Sequence, residues 1–239
     1  MKVAALIPAY NEEEYLVQTL AAVDSIPGLD QIVVINDGST DGTHRAVLDY
    51  LPRAAKTIRL VDLPENQGKG SALNAGLACT DAQVYLLLDA DLGGSACQAA
   101  ALLDPVLRAE AHMTVARFTG EQGASGGKMG FGLVRLVAVW GVRLLTGRKV
   151  TSPLSGQRAV CREVVQRLGG FAGGFGVEVS LTVGALHHGF TVVEVPLPLK
   201  HRAYGRTLRG FLHRGRQLVH VLAALGQCWT RGWHRWSGA

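Results

Sequence analysis

The chain has 239 residues, 48% of them apolar and 30 of them glycine, enough for one sizeable core and outside the range of disordered or fibrous sequences. Its formal charge of +5 conceals an asymmetry: residues 1–110 carry 7 Lys and Arg against 15 Asp and Glu, whereas residues 111–239 carry 17 against 4. No uninterrupted apolar run reaches the roughly 18 residues of a spanning helix. The N-terminus reads as a first strand rather than a signal peptide, and the four cysteines show no C-x-x-C spacing, so a reduced cytosolic setting without structural zinc is expected.

In chain order, VAALI (3–7) is a predicted strand that runs into PAYNEEE, followed by a helix over 12–25. QIVVI (31–35) is a second strand, ending in NDGSTDG before a helix over 42–51. A third strand, TIRLV (57–61), leads through ENQGKGSALNAG, whose helix covers 69–78. QVYLLL (83–88) ends in DADLGG and is followed by a helix over 95–108 and a strand over 112–116. This alternation predicts an α/β fold with a mainly parallel, helix-covered sheet. Right-handed crossovers bring the polar turns to one sheet edge, the edge where ligands bind in such folds.

The second half is less regular. A glycine-rich loop (120–130) precedes an apolar helix over 131–147 interrupted by Arg135 and Arg143; TSPLSGQRA (151–159) reads as a loop, and AGGFGVEVSLTVGALHHG (172–189) as a turn leading into a helix. A strand follows at 191–197, and the chain closes on a basic amphipathic segment. The change of charge and glycine content near residue 117 suggests a ligand-binding half over 1–116, a second half of the same domain over 117–206, and the basic segment over 207–239.

Asp89 and Asp91 stand where a doubly buried strand emerges. Two carboxylates so close repel unless a cation or donors lie between them, which suits a hard divalent metal; a helix-capping loop acid is the plainer alternative. Asp37, before Gly38 and Ser39, is placed either to accept hydrogen bonds from a nucleobase or ribose or to serve as a turn acid. Tyr10 can stack on a base or pack on a neighbouring loop. Lys69, between two glycines at a helix start, can approach a diphosphate. There is no G-x-x-x-x-G-K-[ST] loop, and no G-x-G-x-x-G follows the first strand, which counts against a P-loop enzyme and a nicotinamide dehydrogenase.

PAYNEEE, NDGSTDG, ENQGKGSALNAG and LLLDADLGG, in this order, resemble the nucleotide-sugar half of family-2 glycosyltransferases with the A-type fold. The resemblance implies inverting transfer from a nucleoside diphosphate sugar, with Mg²⁺ or Mn²⁺ at the D-x-D pair and with Pro8, Ala9, Tyr10, Glu12 and Asp37 cradling base and ribose. Asp91 is then expected to hold the metal and Asp89 to support ribose or metal. SPLSGQRA, GGFGVEVSL and the late HR pair are similar to glucosyl-3-phosphoglycerate synthases, while the layout also resembles dolichyl-phosphate mannose synthases. The latter usually carry glutamine two residues past the D-x-D, where this chain has Gly93, so a third ligand must be water or come from elsewhere; His201 matches the late metal-binding histidine of the phosphoglycerate enzymes.

Glu178 is the only acid between residues 164 and 193. It is the expected base for a hydroxyl acceptor, or a positioning group if the acceptor is itself a phosphate. Arg158, Arg202 and Arg206 are candidate clamps for phosphate or carboxylate. The basic half suits a small anionic or lipid-linked phosphate acceptor, and its tryptophan-rich tail suits either a helix on an anionic membrane or a helix docked on the core. The expected setting is therefore cytoplasmic, with peripheral contact at the inner face of the plasma membrane. No nucleic-acid recognition module is legible. A nucleotide-sugar-binding protein without turnover is the alternative, against which the intact D-x-D speaks.

Overall fold

In the computed structural model of the chain, residues 1–119, 131–173, 176–199 and 208–233 are described, with backbone alone for Phe131 and residues 208–217. The strands are β1 (Val3–Ala9), β2 (Gln31–Asp37), β3 (Thr57–Leu63), β4 (Val84–Leu87), β5 (Met113–Phe118), β6 (Arg158–Cys161) and β7 (Val192–Leu197). They form one sheet in the order β3-β2-β1-β4-β6-β5-β7. All neighbouring pairs are parallel except those that β6 makes with β4 and β5, which are antiparallel.

Helices cover both faces, so the central strands are apolar along their whole length, as doubly buried strands must be. Ala5, Ile7, Ile32 and Val34 face α1 (Leu16–Asp24), α2 (Thr43–Tyr50) and a 3₁₀ segment (Gly93–Leu102) that continues into α4 (Leu103–Leu107). Ala4, Leu6, Val33 and Ile35 face α3 (Lys69–Leu77), α6 (Arg162–Leu168) and α7 (Val177–His187). A third cluster joins α7 to α5 (Phe131–Thr146) and α8 (Leu208–Thr230) through Val179, Val183, Ala138, Val142, Val221 and Ala224. Thus α7 lies between the sheet and the α5/α8 pair, with apolar residues on both sides. The described part of the basic tail is consequently a helix whose inner face belongs to the core.

Three departures from the sequence reading concern local chemistry. The segment over 151–159 is not loop throughout, because its end forms β6. The helix expected over 95–108 is 3₁₀ for most of its length. A short helix, α6, follows β6 directly. Among the described residues, no helix is long and apolar enough to cross a membrane.

Candidate active site

The carboxyl ends of β1, β2 and β4 carry the polar turns to one edge. The reversed β6 brings its beginning to the same edge: Arg158 pairs with Leu87, so Gly156 and Gln157 lie beside Asp89. A Cβ added to Gly156 would stand 2.6 Å from Lys69 Nζ and 2.7 Å from Asp89 Oδ2, so only glycine allows this approach.

At the centre is Lys69, at the start of α3. Its ammonium donates to Asp89 Oδ1 at 2.6 Å and to Glu178 Oε1 at 2.8 Å. Gln157 Nε2 donates to the other Asp89 oxygen at 2.5 Å. Burial opposes the lysine charge, but Coulombic attraction and hydrogen bonds from Asp89 and Glu178 outweigh it and hold its pKa above the ordinary lysine range. Glu178 occupies the first turn of α7, where the positive end of the helix dipole favours a carboxylate. The structure therefore brings Lys69, Asp89 and Glu178 together and adds Gln157, fully buried, which the sequence reading passed over in favour of its neighbour Arg158.

The first two motifs are stitched to each other. Asn11 N donates to Ser39 Oγ at 3.0 Å, Thr40 N to Asn11 Oδ1 at 2.9 Å, Glu12 N to Thr43 Oγ1 at 2.8 Å and Gly42 N to Glu13 Oε2 at 2.6 Å. Much of the polar sequence in PAYNEEE and NDGSTDG thus builds the shape of the edge. Pro8 and Ala9 are the last residues of β1, and Tyr10, just beyond them, is 46% exposed and free to stack on a planar ligand. Glu12 is half-buried. Asp91 sits half-buried in the turn after β4. That turn is held by Thr19 of α1, whose buried hydroxyl donates to Ala90 O at 2.7 Å and accepts from Gly93 N at 2.9 Å.

Asp37 takes up the turn-acid role, one of the two its sequence position allows. Only 3% exposed, it accepts from Gln67 N at 2.8 Å and Gly68 N at 2.9 Å, and so shapes the loop that delivers Lys69 instead of presenting an open carboxylate to a base. Gly38 follows at φ +66°, and a Cβ there would meet the Glu65 carbonyl carbon at 2.4 Å.

Arg158 is a correction. It is 1% exposed and cannot clamp an acceptor: Nε donates to Ser155 O at 2.8 Å, one terminal nitrogen to Thr182 Oγ1 at 2.7 Å and the other to Pro153 O at 2.8 Å. Burial pulls its pKa down to about 10, although the charges of Glu178, Glu194 and Asp89 oppose the fall. The guanidinium is the internal brace of the loop carrying Gly156 and Gln157. From β7, Glu194 holds the start of the same loop through Thr151 N at 2.9 Å and Ser152 N at 2.6 Å. Arg158→Met should lower stability by about 2–4 kcal/mol, because it leaves two buried carbonyls and a hydroxyl without their donor. Chemical denaturation checks this, and a loss below about 0.5 kcal/mol would show that the brace is dispensable.

His201, Arg202 and Arg206 lie outside the described residues. Among the described residues, no group of three or more His, Cys, Asp or Glu side chains converges as a metal cage. The Asp89/Asp91 pair still fits Mg²⁺ or Mn²⁺, since such ions are commonly bound through one or two carboxylates, with substrate phosphates and water completing the shell.

Comparison with known proteins shows what the chain as a whole is similar to. The model of the family described as glycosyl transferase family 2 matches residues 4–129. Glucosyl-3-phosphoglycerate synthase of Mycobacterium tuberculosis is 30% identical over 195 residues, covering 76% of this chain and 60% of that protein. A dolichyl-phosphate beta-glucosyltransferase of Trichomonas vaginalis is 40% identical over 100 residues, covering 37% of this chain and 30% of the relative. The chain thus spans less than two thirds of the length of these relatives. Among solved structures, the M. tuberculosis synthase with phosphoglyceric acid superposes with a TM-score of 0.75 at 26% identity, covering 94% of this chain and 80% of that one. The same enzyme with Mn²⁺, uridine-diphosphate-glucose and phosphoglyceric acid gives a TM-score of 0.72 at 25% identity, with the same coverage.

Proposed function

Because the chain belongs to glycosyl transferase family 2, we propose that it is a metal-dependent inverting glycosyltransferase that moves a sugar from a nucleoside diphosphate sugar to a phosphate-bearing acceptor. The observation that carries this reading is the Lys69–Asp89–Glu178 cluster, set beside Asp91 at the carboxyl edge of a parallel sheet. Uridine diphosphate is the first nucleotide to test, since the solved relatives hold it.

In this reading Tyr10 stacks on the base and the 64–68 loop, shaped by Asp37, presents the N-terminus of α3 to the diphosphate. Asp91, with Asp89, would hold the metal, which supplies neutralisation of the charge growing on the leaving diphosphate. Lys69 exchanges carboxylate partners for phosphate oxygens as the donor enters, because both are anions within reach of one flexible ammonium. Glu178, released from that ion pair, faces the acceptor side. It takes the proton of a hydroxyl acceptor, or orients an acceptor whose attacking group is already ionised.

Our first choice of acceptor is a lipid-linked phosphate met at the cytoplasmic face of a membrane, which the excess of Lys and Arg in residues 111–239 supports. A second reading, a small soluble phosphorylated acceptor, is supported by the solved relative that holds phosphoglyceric acid. His201, Arg202 and Arg206 keep their proposed roles as metal ligand and anion clamps.

The test is a thermal-shift series with UDP, GDP, CDP and TDP, each with and without Mn²⁺ or Mg²⁺. One nucleotide should raise the melting temperature by about 5 °C or more at a hundredfold excess over its Kd, and only with metal. Absence of any nucleotide shift would end the donor assignment.

A further inference from the structure

Thirteen large apolar side chains are exposed among the described residues, and seven of them lie on α5 and α8. On α5 they are Leu133, Leu136, Trp140 and Leu144, between 52% and 61% exposed, on the side opposite the buried Val134, Ala138 and Val142. On α8 they are Val219, Leu222 and Trp229, opposite the buried Val221, Ala224 and Cys228. At about 3.6 residues per turn, the α5 stripe adjoins Val137 and Gly141, and the α8 stripe adjoins Leu218 and Leu225. These four residues line the seam between the helices: Val137, Leu218 and Leu225 pack on the shared cluster, and a Cβ on Gly141 would stand 2.3 Å from Leu225 Cδ1. The two stripes therefore flank one seam and make a continuous apolar surface.

The charged residues that α5, α8 and the segment after α5 contribute to that surface have one sign. Residues 131–162 contain no Asp or Glu, and no acid follows Glu194. Arg135, Arg143, Arg148 and Lys149 border the α5 side, all exposed, and the Arg143 guanidinium lies 5.9 Å from the Trp140 ring centroid. Apolar side chains flanked by cations that can lift their charged ends away form the pattern of a helix face resting in the headgroup layer of an anionic leaflet. A second copy of the same face would instead bring like charges together at its rim.

We propose that the outward face of the α5/α8 pair is a platform that lies on an anionic bilayer. The inference deepens the lipid-phosphate reading of the acceptor and rests on it for its purpose. Through α7 the platform is one helix away from the cluster: Val179 and Val183 pack against α5 and α8, while Glu178 of the same helix pairs with Lys69.

The test is flotation of the full chain with phosphatidylcholine vesicles, with and without phosphatidylglycerol. Wild-type protein should float only with the anionic vesicles, and less as salt shortens the screening length from about 30 Å at 0.01 M to about 10 Å at 0.1 M. The double variant Leu136→Gln/Trp140→Gln should reduce the bound fraction about tenfold or more, since both side chains enter the headgroup boundary. Leu222→Gln/Trp229→Gln on α8 provides an independent second variant, and all four positions are exposed, so folding should survive. Failure of wild-type protein to float at low salt, or binding by both double variants as strong as wild type, overturns the proposal. A wild-type dimer in sedimentation that these variants convert to monomer also overturns it, in favour of a second copy as the occupant. The nucleotide thermal shift, measured on the same samples, separates the two readings: a retained shift without flotation removes the platform alone, and flotation without a shift removes the donor assignment alone.

Discussion

Asp91→Ala is expected to fold as the wild type does and to lose transfer by about a thousandfold or more, together with the metal-dependent part of nucleotide binding. The side chain sits half-buried in the turn after β4 and is not itself part of the apolar core, so its removal costs little packing. The turn is also held by Thr19, which ties Ala90 and Gly93. Turnover of donor and acceptor, with a thermal melt as the control for folding, checks the expectation. Unchanged turnover in a folded variant would remove the metal from Asp91.

Glu178→Gln is expected to lower the rate constant on a hydroxyl acceptor by about a hundredfold or more, the usual scale of general-base catalysis. Donor affinity should stay within a few-fold, because the variant keeps Lys69 and Asp89, paired at 2.6 Å before the donor enters. Glutamine keeps the size of the side chain and can accept from Lys69, so the variant separates the basic function from the structural one. With an acceptor that attacks through an ionised phosphate the loss should be small. A rate near wild type on a confirmed hydroxyl acceptor would leave Glu178 as a positioning residue.

The parallel half of the fold was legible because β1, β2 and β4 are buried on both faces and therefore read as β-branched or leucine-rich runs leading into polar turns. β6 escaped for the opposite reason: it has four residues, begins with an arginine, and follows a loop of turn-forming residues. Nothing local reveals that Arg158 points into the core, since its oxygen acceptors on Pro153, Ser155 and Thr182 come into reach only after folding. The same limit applies to Asp37. Its place at a strand end was readable, but that its carboxylate would be closed off by Gln67 N and Gly68 N depends on a loop thirty residues later in the chain. Lys69 was readable as a cation at a helix start; that it meets two carboxylates depends on Glu178, which α7 carries in from the far half. Gln157 was quoted within its motif, yet an uncharged side chain gives no sign in sequence of the acid it will bind.

The reversed strand between β4 and β5 also has a consequence for the order in which the protein can be completed. During synthesis β1, β2, β3 and β4 are all available by residue 87, and β1 is already the inner partner of β4. The other edge of β4 belongs to β6, which is made only at residues 158–161. At about 5–20 residues per second, the nascent chain therefore carries an open, fully apolar strand edge for several seconds before its own partner emerges. Such an edge is a template for pairing with another chain. The interval between β4 and β6 is thus the stage at which a ribosome-bound chain is most exposed to misassembly and at which a chaperone would have most to protect.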